Sequence, residues 1–223
     1  MTLPVNFDSV GVDAVIADWV STLRDRGVDA VLVLGPDPDG GREIRRVLAV
    51  HPPRMLTAAQ ALAESSDFGA AWRDSDAPLV AWQEISKSAW QDTQGRWRRL
   101  WLGHGYQTLV RVAFPLPAGR AFECFMFSPR TFAGRAEAAE LAWSALHVWP
   151  MLQRAIADSR LTLSPRELET LRLAFEGLTA RETAQRLECS ERTVNYHLAN
   201  AMAKLNTDNK LQAVQKACWM GLV

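Results

Sequence analysis

Between Arg192 and Asn200 the chain gathers side chains suited to reading a nucleic acid. At helical spacing Arg192, Tyr196, Ala199, Asn200 and Ala203 share one side, flanked by Thr193, Asn195 and Lys204. A guanidinium or ammonium neutralises phosphate, an amide bonds adenine in a bidentate pair, and a small residue lets a helix approach base edges closely. The chemistry is non-covalent recognition of duplex DNA. Asn195, Tyr196 and Ala199 are assigned to base edges. Arg192, Thr193, Arg181 and Lys204 are assigned to phosphates, and Asn200 stands between the two roles.

Such a face needs a buried back. Val194, Leu198, Met202 and Leu205, with Ala201 among them, supply it at the same period. The helix also needs a fixed start, and Ser190 caps it. Upstream, Ser164-Pro165-Arg166-Glu167 is a capping box with Pro at the first helical position, and Gly177 ends that helix. Thr179-Ala180-Arg181-Glu182 is a second capping box only two residues later. Its helix runs out near Glu188, leaving Glu188-Cys189-Ser190 as the turn. Asp208 or Asn209 caps a fourth helix from about Lys210 to Met220. Two helices joined by so short a turn make a helix-turn-helix, which seats its second helix in the major groove.

This segment resembles the DNA-binding domain of LuxR-type transcription regulators. The matching residues are Leu163 to Glu167, Glu176-Gly177, Ala184, Ser190 to Val194, His197-Leu198, Lys204-Leu205 and Ala213-Val214. Val194 to Met202, followed by Asn209-Lys210, is most similar to the quorum-sensing branch. The resemblance implies four helices, the third reading DNA and the fourth helping the domain to pair as a dimer.

The bulk numbers fit a regulator of two modest domains. The chain has 223 residues, 48% hydrophobic and 22% charged. Lys and Arg number 25 and so do Asp and Glu, with a slight positive excess only after Met151. No global field draws the chain to DNA, so affinity must come from local placement and from doubling in a dimer. Cys124, Cys189 and Cys218 lack metal-ligand spacing, and no cofactor is expected. The start MTLPVNFDSV is no signal peptide, and no apolar run is long enough to span a bilayer. A reducing cytoplasm is expected, with no membrane partner.

The first 150 residues read as strands between helices. Asp13 to Arg26 is helical and stopped by Gly27. Asp29 to Gly35 and Ile44 to His51 form a hairpin around the turn from Pro36 to Gly41. Leu56 to Trp72 is helical, Pro78 to Ile85 irregular, and Gln91 to Trp101 helical. Gln107 to Leu116 and Arg120 to Ser128 alternate as two strands. Ala133 to Ala157 is a long helix in which Pro150 favours a kink. The expectation is an α/β sandwich sensor domain over 1–157, a central antiparallel sheet flanked by helices. A linker over 158–162 and an all-α four-helix helix-turn-helix domain over 163–223 follow.

Eight of the nine Trp precede residue 150, and aromatics wall small-molecule cavities. Trp72, Trp82, Trp90 and Tyr106 are the pocket candidates, with Asp74 or Asp76 as polar anchor. The order of elements is similar to the autoinducer-binding domain of LuxR-type receptors, which holds an acyl-homoserine lactone. Pro78-Leu79-Val80-Ala81-Trp82 resembles that family's Pro-x-x-x-Trp stretch. Its Trp-x-x-x-Tyr and Asp-Pro pairs are missing between Arg54 and Pro78, so the resemblance implies a divergent sensor without the usual head-group residues.

Other functions fit poorly. A phosphoacceptor receiver needs a Lys after a buried strand, and Lys87 does not follow one. Cys124 with His104 or His147 makes a weak nucleophile pair, because Cys124 lies in the apolar run from Phe122 to Phe127. The expected partners are therefore a pseudo-palindromic operator, a second copy of the chain, a small signal molecule and RNA polymerase. The alternative is a ligand-independent regulator, or an anti-activator that forms mixed dimers with a related regulator.

Overall fold

The computed structural model describes residues 10–37, 44–65, 79–87, 95–116, 120–160 and 163–223. The chain divides into two compact units, Met1–Ser159 and Arg160–Val223. Among the described residues no helix is long and apolar enough to cross a membrane.

The first unit is built on a five-stranded antiparallel sheet. Its strands are β1 (Ala30–Pro36), β2 (Arg45–His51), β3 (Val80–Glu84), β4 (Thr108–Leu116) and β5 (Arg120–Ser128), in the order β2-β1-β5-β4-β3. Side chains alternate across a strand, so Phe122, Cys124 and Met126 point one way while Glu123, Phe125 and Phe127 point the other. Helices α1 (Val10–Leu23) and α4 (Arg135–Arg160) cover the first face. There Ile16, Trp19 and Leu23 meet Val31, Val112, Met126, Leu141 and Leu152. Trp19 Nε1 donates to Ser144 Oγ at 2.9 Å, tying the two helices together. Helices α2 (Leu56–Ala63) and α3 (Arg96–Gly103) cover the second face, where Met55, Leu62, Trp97 and Trp101 meet Leu32, Leu109 and Phe127.

Several boundaries differ from the expectation. Residues 80–84, read as irregular, form strand β3. It is one of the sheet's two edges, largely open to solvent, and its pairing with β4 is a backbone contact. Helix α2 ends at Ala63 with its carbonyls turned to Glu64 and Ser65, and α3 starts at Arg96. The remaining residues expected in those two helices, 66–72 and 91–94, lie outside the described residues, as does most of the turn from Pro36 to Gly41. Helix α4 passes through Pro150 without ending and continues to Arg160, so the first residues of the expected linker are its last turn. Nothing in Asp158-Ser159-Arg160 breaks a helix.

Gly35 shows why β1 tolerates no side chain there. A Cβ would lie 2.6 Å from Leu48 Cδ1 and 2.9 Å from the Phe122 ring.

The second unit has four helices: α5 (Pro165–Phe175), α6 (Ala180–Arg186), α7 (Glu191–Lys204) and α8 (Lys210–Trp219). Both expected capping boxes are present, with Ser164 accepting from Glu167 N and Thr179 from Glu182 N. Asn209, one of the two residues offered for α8, is its cap. Gly177 takes φ +90° after α5, the left-handed stop that glycine makes without strain.

Candidate nucleic-acid interface

Helix α7 is placed by its cap, its back and the turn before it. Ser190 Oγ accepts the Thr193 N–H at 3.1 Å and lies 2.8 Å from Thr193 Oγ1. Before the cap, Cys189 N–H donates to Ala184 O at 3.0 Å, folding the end of α6 back on itself. That return requires Glu188 at φ +52°, a left-handed residue with a Cβ. Sequence pattern marked the turn but not this strain, since Glu carries no turn signature.

The back of α7 is only partly as expected. Val194, Ala201 and Leu205 are buried, whereas Leu198 and Met202 are half-buried. The helix lies across α5 and α6, and its contact arc is narrower than the apolar arc of its sequence.

On the outer side Arg192, Asn195, Tyr196 and Ala199 are exposed, and Tyr196 is 63% open to solvent. Its ring stands edge-on to His197, 5.7 Å between centroids. Asn200 and Thr193 are half-buried, and the Thr193 hydroxyl is already shared with the Ser190 cap. Arg181 is exposed on α6. The structure thus brings Arg192, Asn195, Tyr196 and Ala199 onto one open surface of α7.

Lys204, assigned to phosphate from sequence, has a different engagement. Its ammonium lies 2.7 Å from Glu167 Oε2, and Glu167 is buried. Burial alone would raise the Glu167 carboxyl, but the Lys204 ammonium and the Ser164 N–H outweigh it and hold the group below its usual range. A basic residue at the end of a reading helix looks the same in sequence whether it meets a phosphate or a carboxylate of its own fold. The partner is separated by 37 residues, beyond any local pattern.

Two of the pocket candidates of the first unit, Trp82 and Tyr106, are among the described residues. Trp72, Asp74, Asp76 and Trp90 lie outside the described residues. Tyr106 is buried, 5.3 Å from Trp101 between centroids, and its phenol is raised by burial, with Asp29 and Arg54 as hydrogen-bond partners. Trp82 pairs with Val110, which belongs to the core beneath α1 and α4, and it stands 36% exposed at the sheet edge. Cross-strand partners share a face, so Trp82 and Tyr106 lie on opposite faces and are not brought together.

Sequence reasoning missed the polar centre of the second face. The Glu123 carboxylate accepts from Arg111 Nε at 2.6 Å and from Arg45 Nη1 at 3.0 Å. Arg45 Nη2 also donates to Leu62 O at 3.0 Å and Ser65 O at 2.7 Å, fastening the end of α2 to the sheet. A charged residue inside a strand of aromatics was the available signal. Beside it Trp101 stacks on Phe127 at 3.4 Å and donates to Ala58 O. Cys124 faces the opposite core, where burial pushes its thiol well above the usual range.

A sheet covered by helices on both faces, followed by a capped helix-turn-helix, defines a class: DNA-binding regulators that carry a second, sensor-like domain. Residues 161–217 match the family of bacterial regulatory proteins named luxR, and the C-terminal unit belongs to it. The transcriptional activator protein SolR of Ralstonia nicotianae is 33% identical over 162 residues, 67% of this chain and 65% of SolR. The chain thus spans just under two-thirds of the length of that relative. The transcriptional activator protein LuxR of Aliivibrio fischeri is 46% identical over 61 residues, 27% of this chain and 24% of LuxR. Among solved structures, Escherichia coli SdiA aligns with TM-score 0.51 at 22% identity, covering 93% of this chain and 90% of that one. SdiA in complex with octanoyl-rac-glycerol gives TM-score 0.51 at 20% identity over 94% and 88%. Both show a shared fold. The relatives are transcription regulators by name, and the enzyme reading is set aside.

Proposed function

We propose that the chain is a homodimeric transcription regulator of the cytoplasm. Its two α7 helices enter successive major grooves of a pseudo-palindromic operator, about one turn or ~10 bp apart. Asn195, Tyr196 and Ala199 approach base edges, Arg192 and Arg181 hold phosphates, and Asn200 borders both. Thr193 contributes through the start of the helix. The observation that carries this reading is the open surface of Arg192, Asn195, Tyr196 and Ala199 on a helix fixed by the Ser190 cap. The balanced charge of the chain, 25 against 25, favours two weak contacts joined over one strong one. Leu211, 76% exposed on α8, offers an apolar contact for pairing. Bound at a promoter, the dimer acts on RNA polymerase.

Selection of a duplex from random DNA by the purified chain, followed by anisotropy titration, tests the proposal. Asn195→Ala is expected to lose about 1–3 kcal/mol of discrimination at one or two base positions per half-site. A chain that enriches no sequence, or that enriches the same site after Asn195→Ala and Tyr196→Ala together, would falsify it.

The first unit is proposed to answer to a small signal molecule without the lactone head-group pairs. SdiA, which shares the fold, was solved with octanoyl-rac-glycerol. A second reading is a regulator that needs no ligand, including an anti-activator working through mixed dimers. The stacking of Trp101 on Phe127 and the prior engagement of the Tyr106 hydroxyl favour it. A thermal-shift screen with acyl-homoserine lactones, monoacylglycerols and aromatic acids separates the two. A rise in melting temperature supports the sensor. No rise with any compound, beside intact DNA binding, supports the second reading.

A further inference from the structure

Helix α3 carries its charges at the end that suits its own stability least. Arg96, Arg98 and Arg99 all fall in the first half of the helix, no acidic residue lies in its first turn, and Gly95 brings no side-chain cap. The start of a helix is its positive end, so cations there oppose the macrodipole. Helix propensity does not ask for them, since Glu and Gln form helices about as well as Arg. The chain as a whole is balanced, 25 cationic against 25 anionic side chains, so the cluster is not one sample of a basic surface.

The helix that presents these charges is rigidly seated. Trp97 and Trp101 are fully buried beneath it, and the Arg98 guanidinium stands 4.8 Å over the Trp97 ring. On the outer side Arg96 and Arg99 lie one turn apart, both exposed. Arg96 comes within 3.6 Å of Glu64, but those side chains are 65% and 70% open to solvent, and so exposed a pair contributes little. Gly103 continues the same line one turn further on. A Cβ there would meet nothing within 4 Å, so among the described residues the surface ahead is clear.

We propose that this outer face of α3 holds the phosphate backbone of duplex DNA flanking the operator, a contact made by the first unit. The inference rests on the DNA-binding reading above and widens its footprint. Guanidinium groups match phosphate with two parallel hydrogen bonds, and all three cations here are Arg. Two of them one turn apart on a fixed helix can take adjacent phosphates of one strand. Such contacts add affinity and register without reading sequence. The two units adjoin in the chain at Ser159 and Arg160. A duplex held by the second is therefore at high effective concentration for the first, where even a weak contact counts.

The test uses the full chain and the duplex recovered by the selection described above. One version of it ends at the operator, and the other is extended by about 20 bp, two turns, on each side. In anisotropy titrations the native chain is expected to bind the extended duplex about 10-fold more tightly. Arg96→Gln with Arg99→Gln is expected to abolish that advantage, leave the short duplex unchanged, and flatten the salt slope on the long one by about 2 per monomer. Arg96→Glu with Arg99→Glu is expected to raise the melting temperature of the first unit, because acids suit that end of α3. Equal losses on both duplexes with a lower melting temperature would give the arginines a role in the fold and overturn the proposal. Unchanged titrations beside a lost response in a promoter-reporter strain would assign the face to an acidic protein, and overturn it too. In either case enrichment of an operator by the native chain leaves the α7 reading standing. A native chain that enriches no sequence overturns both.

Discussion

Lys204 Nζ lies 2.7 Å from Glu167 Oε2, and the same oxygen accepts the Ser164 N–H at 2.7 Å. One buried carboxylate therefore caps the first helix of the C-terminal unit and holds the last turn of the candidate reading helix. Glu167→Gln keeps the shape and removes the charge. It is expected to lower the unit's stability by about 1–3 kcal/mol, measured by urea unfolding. Unchanged stability would make the contact incidental.

The same contact sets a pH response. The Glu167 carboxyl is held below its usual 4.5 in the folded chain. Its stabilising effect is fully present above that value and is lost as acidification carries pH down through the depressed folded value. Urea midpoints of the C-terminal unit are expected to fall below about pH 4.5 more steeply in the native chain than in Lys204→Met.

Glu188 holds φ +52° in the turn before the Ser190 cap. A left-handed residue with a Cβ costs about 1 kcal/mol that glycine avoids. Glu188→Gly is expected to raise the melting temperature of the unit and leave DNA affinity unchanged. A fall in melting temperature would show that the Glu188 side chain makes an offsetting contact.

Leu205 is 1% exposed, while Leu198 is half-buried. Leu205→Ala is expected to cost about 2–5 kcal/mol, and Leu198→Ala clearly less. Equal losses in chemical denaturation would mean that the back of α7 is covered by something beyond α5 and α6.

Arg192 is exposed at the start of α7. Arg192→Ala is expected to weaken all DNA sequences alike and to flatten the slope of log affinity against log salt by about 1 per monomer. A change of preferred base with an unchanged slope would move Arg192 from the phosphate to a base edge.

The C-terminal unit was largely legible because its information is local. Each cap at Ser164, Thr179, Ser190 and Asn209 needs only residues within one turn, and the period of Val194, Ala201 and Leu205 names the buried side. What escaped was long-range or conformational. Lys204 found a partner on another helix, and Glu188 adopted a backbone state its side chain does not advertise. In the first unit the first hairpin was readable from its apolar run and turn and the second from alternation, whereas β3 was not. An edge strand half open to solvent carries no apolar period, and only its neighbour β4 defines it. Trp82 was separated from Tyr106 by the same cause, since which face a residue takes depends on a register that appears only when strands pair.

The trio of Arg45, Glu123 and Arg111 also constrains how this chain can diverge. Removing Glu123 alone takes from the buried Arg111 and the half-buried Arg45 the carboxylate they share, a change expected to cost about 3–5 kcal/mol. Replacing all three by apolar residues of similar volume is expected to be neutral or stabilising. Any viable lineage must cross that gap in concert or not at all. The three positions should therefore drift as a block, charged together in some relatives and apolar together in others.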